Sequence, residues 1–222
     1  MKPLLLTLMV MGCTCAHIAQ TQPPKEESPF ESAEAQFVTE VIIPYPSIAS
    51  GTVVLDAVLS DTGIVQKVEV RRDIGSITEP AVTAVKQWQF SPAMFEGKAI
   101  ASRVPVAVTV RPRVFYADQV PLPPLKPQSE AAVQAEFQPA EVIRAMFPNS
   151  AGGDVTVVLE ANVSETGKVE KVRVLRDVPT ATAAAAAVVG KWRFMAATYN
   201  GKPVPSRIIL AFVFKAPGDP VP

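Results

Sequence analysis

Thiols and imidazoles are nearly missing from this chain. Its two cysteines, Cys13 and Cys15, and its single histidine, His17, crowd the N-terminus. The rest of the sequence therefore has nothing with which to build a disulfide, a cysteine nucleophile or a His/Cys metal cluster. Neither a Gly-x-Ser-x-Gly elbow nor a glycine-rich phosphate loop is present. Carboxylates remain, but in the repeated segments described below they fall at hairpins and on solvent-facing strand positions. No catalysis, no cofactor and no metal is expected. Charge of one sign is lacking too: 21 basic residues balance 21 acidic ones, without the basic stripe that nucleic acid would require.

A long apolar run is also absent. Lys2 followed by PLLLTLMVMG is a one-charge start and an apolar core too short to cross a bilayer comfortably. It reads as an export signal over residues 1–19. Val10-Met11-Gly12-Cys13 resembles a bacterial lipobox, which would make Cys13 the lipidated first residue of a membrane-anchored protein. Cleavage near Ala16 or Ala19 into a soluble exported protein, and retention as an uncleaved anchor, are the alternatives.

Proline, by contrast, is abundant. Its 22 residues are about twice the usual share, and ten of them fall in three connectors. Residues 20–36, with Pro23, Pro24, Pro29 and several glutamates, lack the apolar content to fold and form a tether. Residues 115–136 carry PLPPLKP, which favours an extended spacer, followed by a short helix from Ser129 to Glu136. Residues 217–222 form a frayed tail. Between these connectors lie two domains, 37–114 and 137–216.

The two domains are copies. One fixed offset, without a gap, pairs Gly63 with Gly167, Trp88 with Trp192, Phe90 with Phe194, Gly97 with Gly201 and Arg103 with Arg207. Roughly 27 of about 73 positions from Val38 to Val110 match their partners, which marks a duplication. At the same offset the lead-in around Phe37–Ser50 is paired with Val142–Pro148.

Each copy opens on alternation. Val53, Leu55, Ala57 and Leu59 share one face against Asp56 and Ser60; Val155, Val157, Leu159, Ala161 and Val163 share one against Thr156, Glu160 and Asn162. That is a half-buried strand. Asp61-Thr62-Gly63 and Glu165-Thr166-Gly167 close a hairpin into a second strand, carrying Val68 and Val70, or Val172 and Val174. The period then becomes helical. Thr78 is a candidate N-cap ahead of Glu79 and Pro80, and Ala81, Val85 and Trp88, with Ala185, Val189 and Trp192, form a core stripe. Trp88, Phe90, Trp192 and Phe194 are read as core residues, not as a ligand platform. Glu96-Gly97-Lys98 and Asn200-Gly201-Lys202 turn into a third apolar strand. The directions of the elements give the simplest sheet as 2-1-3, with the third strand at an open edge, where Pro105 is tolerated. The expected fold class is α+β: two tandem small domains, each a three-stranded antiparallel sheet, order 2-1-3, packed on one helix.

This succession, from the hairpin through a helix ending in Trp-x-Phe to a Gly-Lys turn and a last apolar strand, resembles the C-terminal domain of TonB, the bacterial energy-transducing protein. TGIVQKVEVRRD, AVKQWQFSPA and GKAIASRVPVAVTV carry the resemblance in one copy; TGKVEKVRVLRD, VVGKWRFMAA and GKPVPSRIILAFVF carry it in the other. The resemblance implies a periplasmic module linked to transport. Its partner would be an extended segment of an outer-membrane receptor or other envelope protein, added as a strand beside the last strand.

The implied binding edge comprises Ser102, Arg103, Val104, Val106 and Val108, and Ser206, Arg207, Ile209, Ala211 and Val213. The second copy is the better binder, because Pro105 removes one donor from the first. Such edges would also permit a homodimer. Lys98, Arg103, Lys202 and Arg207 would meet either an acidic peptide or, more simply, Asp73 and Asp177. Two domains, short proline segments and an isolated His17 argue against a force-transmitting role. A structural envelope scaffold is the second reading.

Overall fold

The structure, a computed structural model, describes residues 30–44, 50–110, 119–120, 122–130, 136–148 and 153–215. The signal with Cys13, residues 20–29 of the expected tether, most of the short helix expected over 129–136 and the tail lie outside them. Residues 30–36, also expected as tether, instead join the first lead-in, with strand pairing at Phe30–Glu31 and Ala35–Phe37 and with Phe30, Ala33 and Ala35 buried.

In the first repeat the main elements are β1 (Gly51–Leu59), β2 (Val65–Arg72), α1 (Gly75–Val85) and β3 (Ser102–Val110). In the second they are β4 (Val155–Val163), β5 (Val169–Arg176), α2 (Thr182–Val189) and β6 (Ser206–Phe214). The first hairpin closes as its sequence dictates. The Ser60 hydroxyl accepts from the amides of Thr62 (3.2 Å) and Ile64 (3.1 Å), and Ser164 does the same for Thr166 and Lys168. Gly63 and Gly167 have φ of +81° and +74°. A Cβ at these positions would fall 2.1 Å from the Phe90 carbonyl oxygen and 1.9 Å from that of Phe194. Glycine is required there both by the backbone angle and by the strand packed against the turn.

Helix α1 starts earlier than expected, at Gly75. Thr78 is inside the first turn: its hydroxyl accepts from the Ile74 amide (3.0 Å) and donates to Asp73 (2.5 Å). Thr182 likewise takes the Val178 amide at 2.9 Å. Pro80 is an interior residue of the helix, not a residue of its first turn. The Gly-Lys turns are tips of short hairpins, Ala93–Phe95 with Lys98–Ile100 and Ala197–Tyr199 with Lys202–Val204. Glu96 and Gly97, like Asn200 and Gly201, both take positive φ, the signature of a type I′ turn.

The third strands are not at edges. All six long strands form one sheet in the order β5-β4-β6-β3-β1-β2. Neighbours within each repeat are antiparallel, and the repeats are joined by parallel pairing of Val106–Val110 with Ile209–Val213. The expectation of two separate sheets, each with an open third strand, is corrected here. The physical reason lies in VPVAVTV and IILAFVF. Both are apolar on both faces, the pattern of a central strand covered on each side, whereas a half-solvated strand alternates. Pro105, the supposed edge marker, sits one residue before the pairing begins and costs it no donor.

The register of that seam sets the layers. Phe212 meets Trp192 edge-on at 5.8 Å, so Ile208, Leu210 and Phe212 face α2, and Ile209, Ala211 and Val213 face away from it. Val106, equivalent to Leu210 and so facing α1, lies beside Ile209. Adjacent paired residues point the same way, which puts α1 and α2 on opposite sides of the sheet. The repeats are related by a pseudo-two-fold axis lying in the sheet along β3 and β6.

Each helix thus covers half of one face, and the lead-in segments cover the other halves. Ala35–Phe37 pairs with Gln89–Phe90, beside α1. From there the chain crosses the second repeat, where the Ala35 amide donates to Glu160 (3.2 Å) and the Thr156 hydroxyl donates to the Val41 carbonyl (3.0 Å). Glu141–Met146 pairs with Arg193–Met195 in the equivalent way, and Glu141 reaches Arg72 of the first repeat at 3.1 Å. Ala35 opposite Phe90 corresponds to Val142 opposite Phe194. The lead-ins are therefore shifted by three residues from the gap-free pairing, which matched Val38 with Val142. Strands β1 and β4, read as half-buried, are covered on both faces, and Thr52, Asp56, Thr156 and Glu160 are buried.

Candidate peptide-binding edges

Of the residues expected to form the binding edge, Val106, Val108, Ile209, Ala211 and Val213 lie in the seam, paired on both sides. Ser102, Arg103, Val104, Ser206 and Arg207 belong to the strand starts that precede it. There the two third strands are engaged by other groups. Arg103 donates to Glu69 (2.8 Å), and Arg207 donates to the Ser32 carbonyl (2.5 Å). Along Val106–Val110 and Ile209–Val213 a visiting strand has no free ladder beside β3 or β6. The same pairing removes the edges through which a homodimer of third strands was expected.

The open ends of the sheet are β2 and β5. They differ. Along β2 runs the linker segment 122–130: the Lys126 amide donates to the Arg71 carbonyl (2.7 Å), and Arg71 Nη1 donates back to the Lys126 carbonyl (2.6 Å). Along β5, among the described residues, no backbone–backbone hydrogen bond comes from outside the sheet, and the Ala35 carbonyl is reached from β5 only by the Arg173 side chain (2.9 Å). Its outward row includes exposed Glu170, Lys171 and Val174. Lys171, Arg173 and Arg176 share the face of the first lead-in, while Val172 and Val174 share that of α2, because they pair with Ala161 and Leu159.

The electrostatics follow from burial. Glu160 is 3% exposed and accepts from Arg173 Nε and Nη2, both at 3.2 Å, with Arg207 Nε at 3.7 Å. Arg173 also pairs with Glu34 at 2.8 Å, and Arg176 with Glu40 at 2.8 Å. In the first repeat Glu69 is bound by Arg103, Lys67 and Ser129, and these bonds, led by Arg103, hold its carboxyl down at about 2. Asp56 is instead pushed up to about 6 by desolvation, which the Arg71 guanidinium 3.5 Å away offsets only in part.

Of the four basic residues near the third strands, Arg103 and Arg207 pair with carboxylates, though not with those expected. Arg103 takes Glu69, Arg207 lies near Glu34 and Glu160, and Asp73 is held by Lys126. Trp88 and Trp192 are buried, their indole N–H groups donating to the Thr39 hydroxyl and the Met146 carbonyl, both at 3.2 Å. Phe90 and Phe194 are buried as well. Arg71, Arg72, Arg173, Arg176 and Glu160 organise the outer strands, a role that strand alternation alone does not reveal. Their signal is the change of charge between copies: Glu69 stands where the second copy has Arg173, and Arg71 where it has Leu175. Among the described residues no group of three His, Cys, Asp or Glu side chains is placed to hold a metal.

Among the described residues no helix is long and apolar enough to cross a membrane. No curated protein and no solved structure matches the chain. The family described as Gram-negative bacterial TonB protein C-terminal matches twice, over residues 45–110 and 149–216, which together make up more than half of the sequence. Each match spans one long hairpin, its helix and its third strand. The chain belongs to the TonB C-terminal family, as two tandem copies, and so to a family of periplasmic modules linked to transport.

Proposed function

We propose that this protein is a periplasmic module that recognises extended segments of envelope or outer-membrane proteins by strand addition, and that the receiving edge is β5, not the third strands. The observation that carries this reading is the asymmetry of the sheet. Its interior seam is filled, one outer strand is overlain by the linker, and β5 keeps an outward row of main-chain groups with no described partner. An extended peptide satisfies such a row, and alternate side chains then read the two faces. On β5 these faces differ: Lys171, Arg173 and Arg176 on one, Val172 and Val174 on the other. Arg173 and Arg176 are engaged by Glu34, Glu160 and Glu40, so Lys171 is the cation offered to a visitor, and a segment alternating acidic and apolar residues fits both faces.

The test is an NMR titration of the full chain with N-terminal peptides of outer-membrane receptors. Shifts concentrated at Val169–Arg176 are expected. Shifts confined to Ser102–Val110 and Ser206–Phe214 would return the site to the third strands, and no shift with any such peptide would contradict the reading.

A second reading, a structural envelope scaffold, is favoured by the seam itself, since two repeats that bury each other's third strand make a rigid block. Co-purification with envelope assembly proteins, together with indifference to receptor peptides, would support it.

A further inference from the structure

The two outer strands are equivalent by duplication but not by chemistry. On the first, residues 122–130 are held at five points. The Lys126 amide donates to the Arg71 carbonyl (2.7 Å), and Arg71 and Arg72 donate from Nη1 to the carbonyls of Lys126 (2.6 Å) and Pro123 (2.5 Å). Lys126 Nζ reaches Asp73 at 2.8 Å, and the Ser129 hydroxyl reaches Glu69 at 3.1 Å.

The segment contains Pro123, Pro124 and Pro127, which have no N–H to offer a strand ladder. The edge compensates by reading carbonyls with two guanidiniums and asks for only one amide. A proline-rich chain is already extended, so little conformational entropy is lost on docking. The second repeat has no such set: Leu175 stands in place of Arg71 and Arg173 in place of Glu69, and Arg176 is turned to Glu40 and the Thr156 carbonyl.

We propose that the outer edge of β2, built from Glu69, Arg71, Arg72 and Asp73, is a recognition site for extended, proline-rich, lysine-bearing segments, with residues 122–130 as its resident ligand. The linker is then a latch as well as a spacer. Tethered to the same chain, it acts at an effective concentration in the millimolar range and shields the site from all but tightly binding competitors. The duplicated edges have diverged, one closed by its own chain and the other left for a visitor. Asp73, whose carboxyl is held below the ordinary range chiefly by its bond from Lys126, is part of this grip.

Two measurements test the latch without any envelope peptide, so its failure is separable from failure of the β5 reading. In the intact chain the Lys126 amide should exchange with solvent at least about tenfold more slowly than an unstructured amide; exchange at the unstructured rate would overturn the proposal. In a chain whose residues 122–130 are replaced by Gly/Ser of equal length, a synthetic LPPLKPQSE peptide should shift the resonances of Glu69–Asp73. Its binding should be at least about tenfold tighter than to the wild type. A folded replacement chain that ignores the peptide, or binds it no better than the wild type, would also overturn it. If the replacement chain does not fold, the Lys126 exchange rate decides alone.

Discussion

Asp56 and Glu160 occupy the same position in the two copies but meet different neighbours. Glu160 reaches across the sheet face to the Ala35 amide and the Arg173 guanidinium. Asp56, one methylene shorter, has Oδ2 buried without a hydrogen bond, in ion-pair range of Arg71 only. Arg103, Glu69 and Glu141 are the other charges near it. Because burial raises its folded-state pKa from 3.8 to about 6, the folded protein holds this proton more tightly than the unfolded chain does. Its contribution is full below about pH 4 and is lost as pH rises through 6, on the order of 2 to 3 kcal/mol. Glu69 acts with the opposite sign, its contribution being present above 4.5 and lost as pH falls toward 2. Urea denaturation of the wild type should therefore show stability falling between pH 4 and pH 7, and Asp56→Asn should flatten that slope. An unchanged slope in the variant would mean that another group titrates there. The buried tryptophans were legible because helical spacing places them. The partners of Asp56 were not, since they depend on which chain segment covers a face.

At the scale of elements, hairpins, helices and turns follow from local pattern: Ser60 and Gly63, the Trp-x-Phe at the helix end, the Gly-Lys tips. The lead-ins do not. Their sequence reads as an apolar patch before a proline, yet each pairs within its own repeat and roofs the sheet of the other. Phe30, Ala33, Ala35, Val41 and Ile43 are buried this way, and Phe30 stacks on Phe137, its counterpart, at 4.4 Å. Removing residues 30–43 should cost at least about 3 kcal/mol, since several side chains lose their burial and the Trp88 N–H and Glu160 each lose a partner. Urea midpoints of the shortened and full chains check this. An unchanged midpoint would mean that the first lead-in is not docked.

For the whole molecule, the decisive fact is that one sheet, not two, was made by the duplication. Alternation and direction determine neighbours within a repeat. They are silent on what lies beyond β3 and β6, because an apolar strand satisfies a peptide-binding edge and an interior seam equally well until its second face is seen to be apolar too. The seam unites both repeats into one cooperative core, leaving β5 as the margin proposed to receive a visiting strand. Native-state amide hydrogen exchange tests this most directly. The account predicts that amides of Val106–Val110 and Ile209–Val213 open only with global unfolding, while β5 amides outside its ladder with β4 exchange by local opening. Fast exchange along the third strands, with protection across β5, would contradict it.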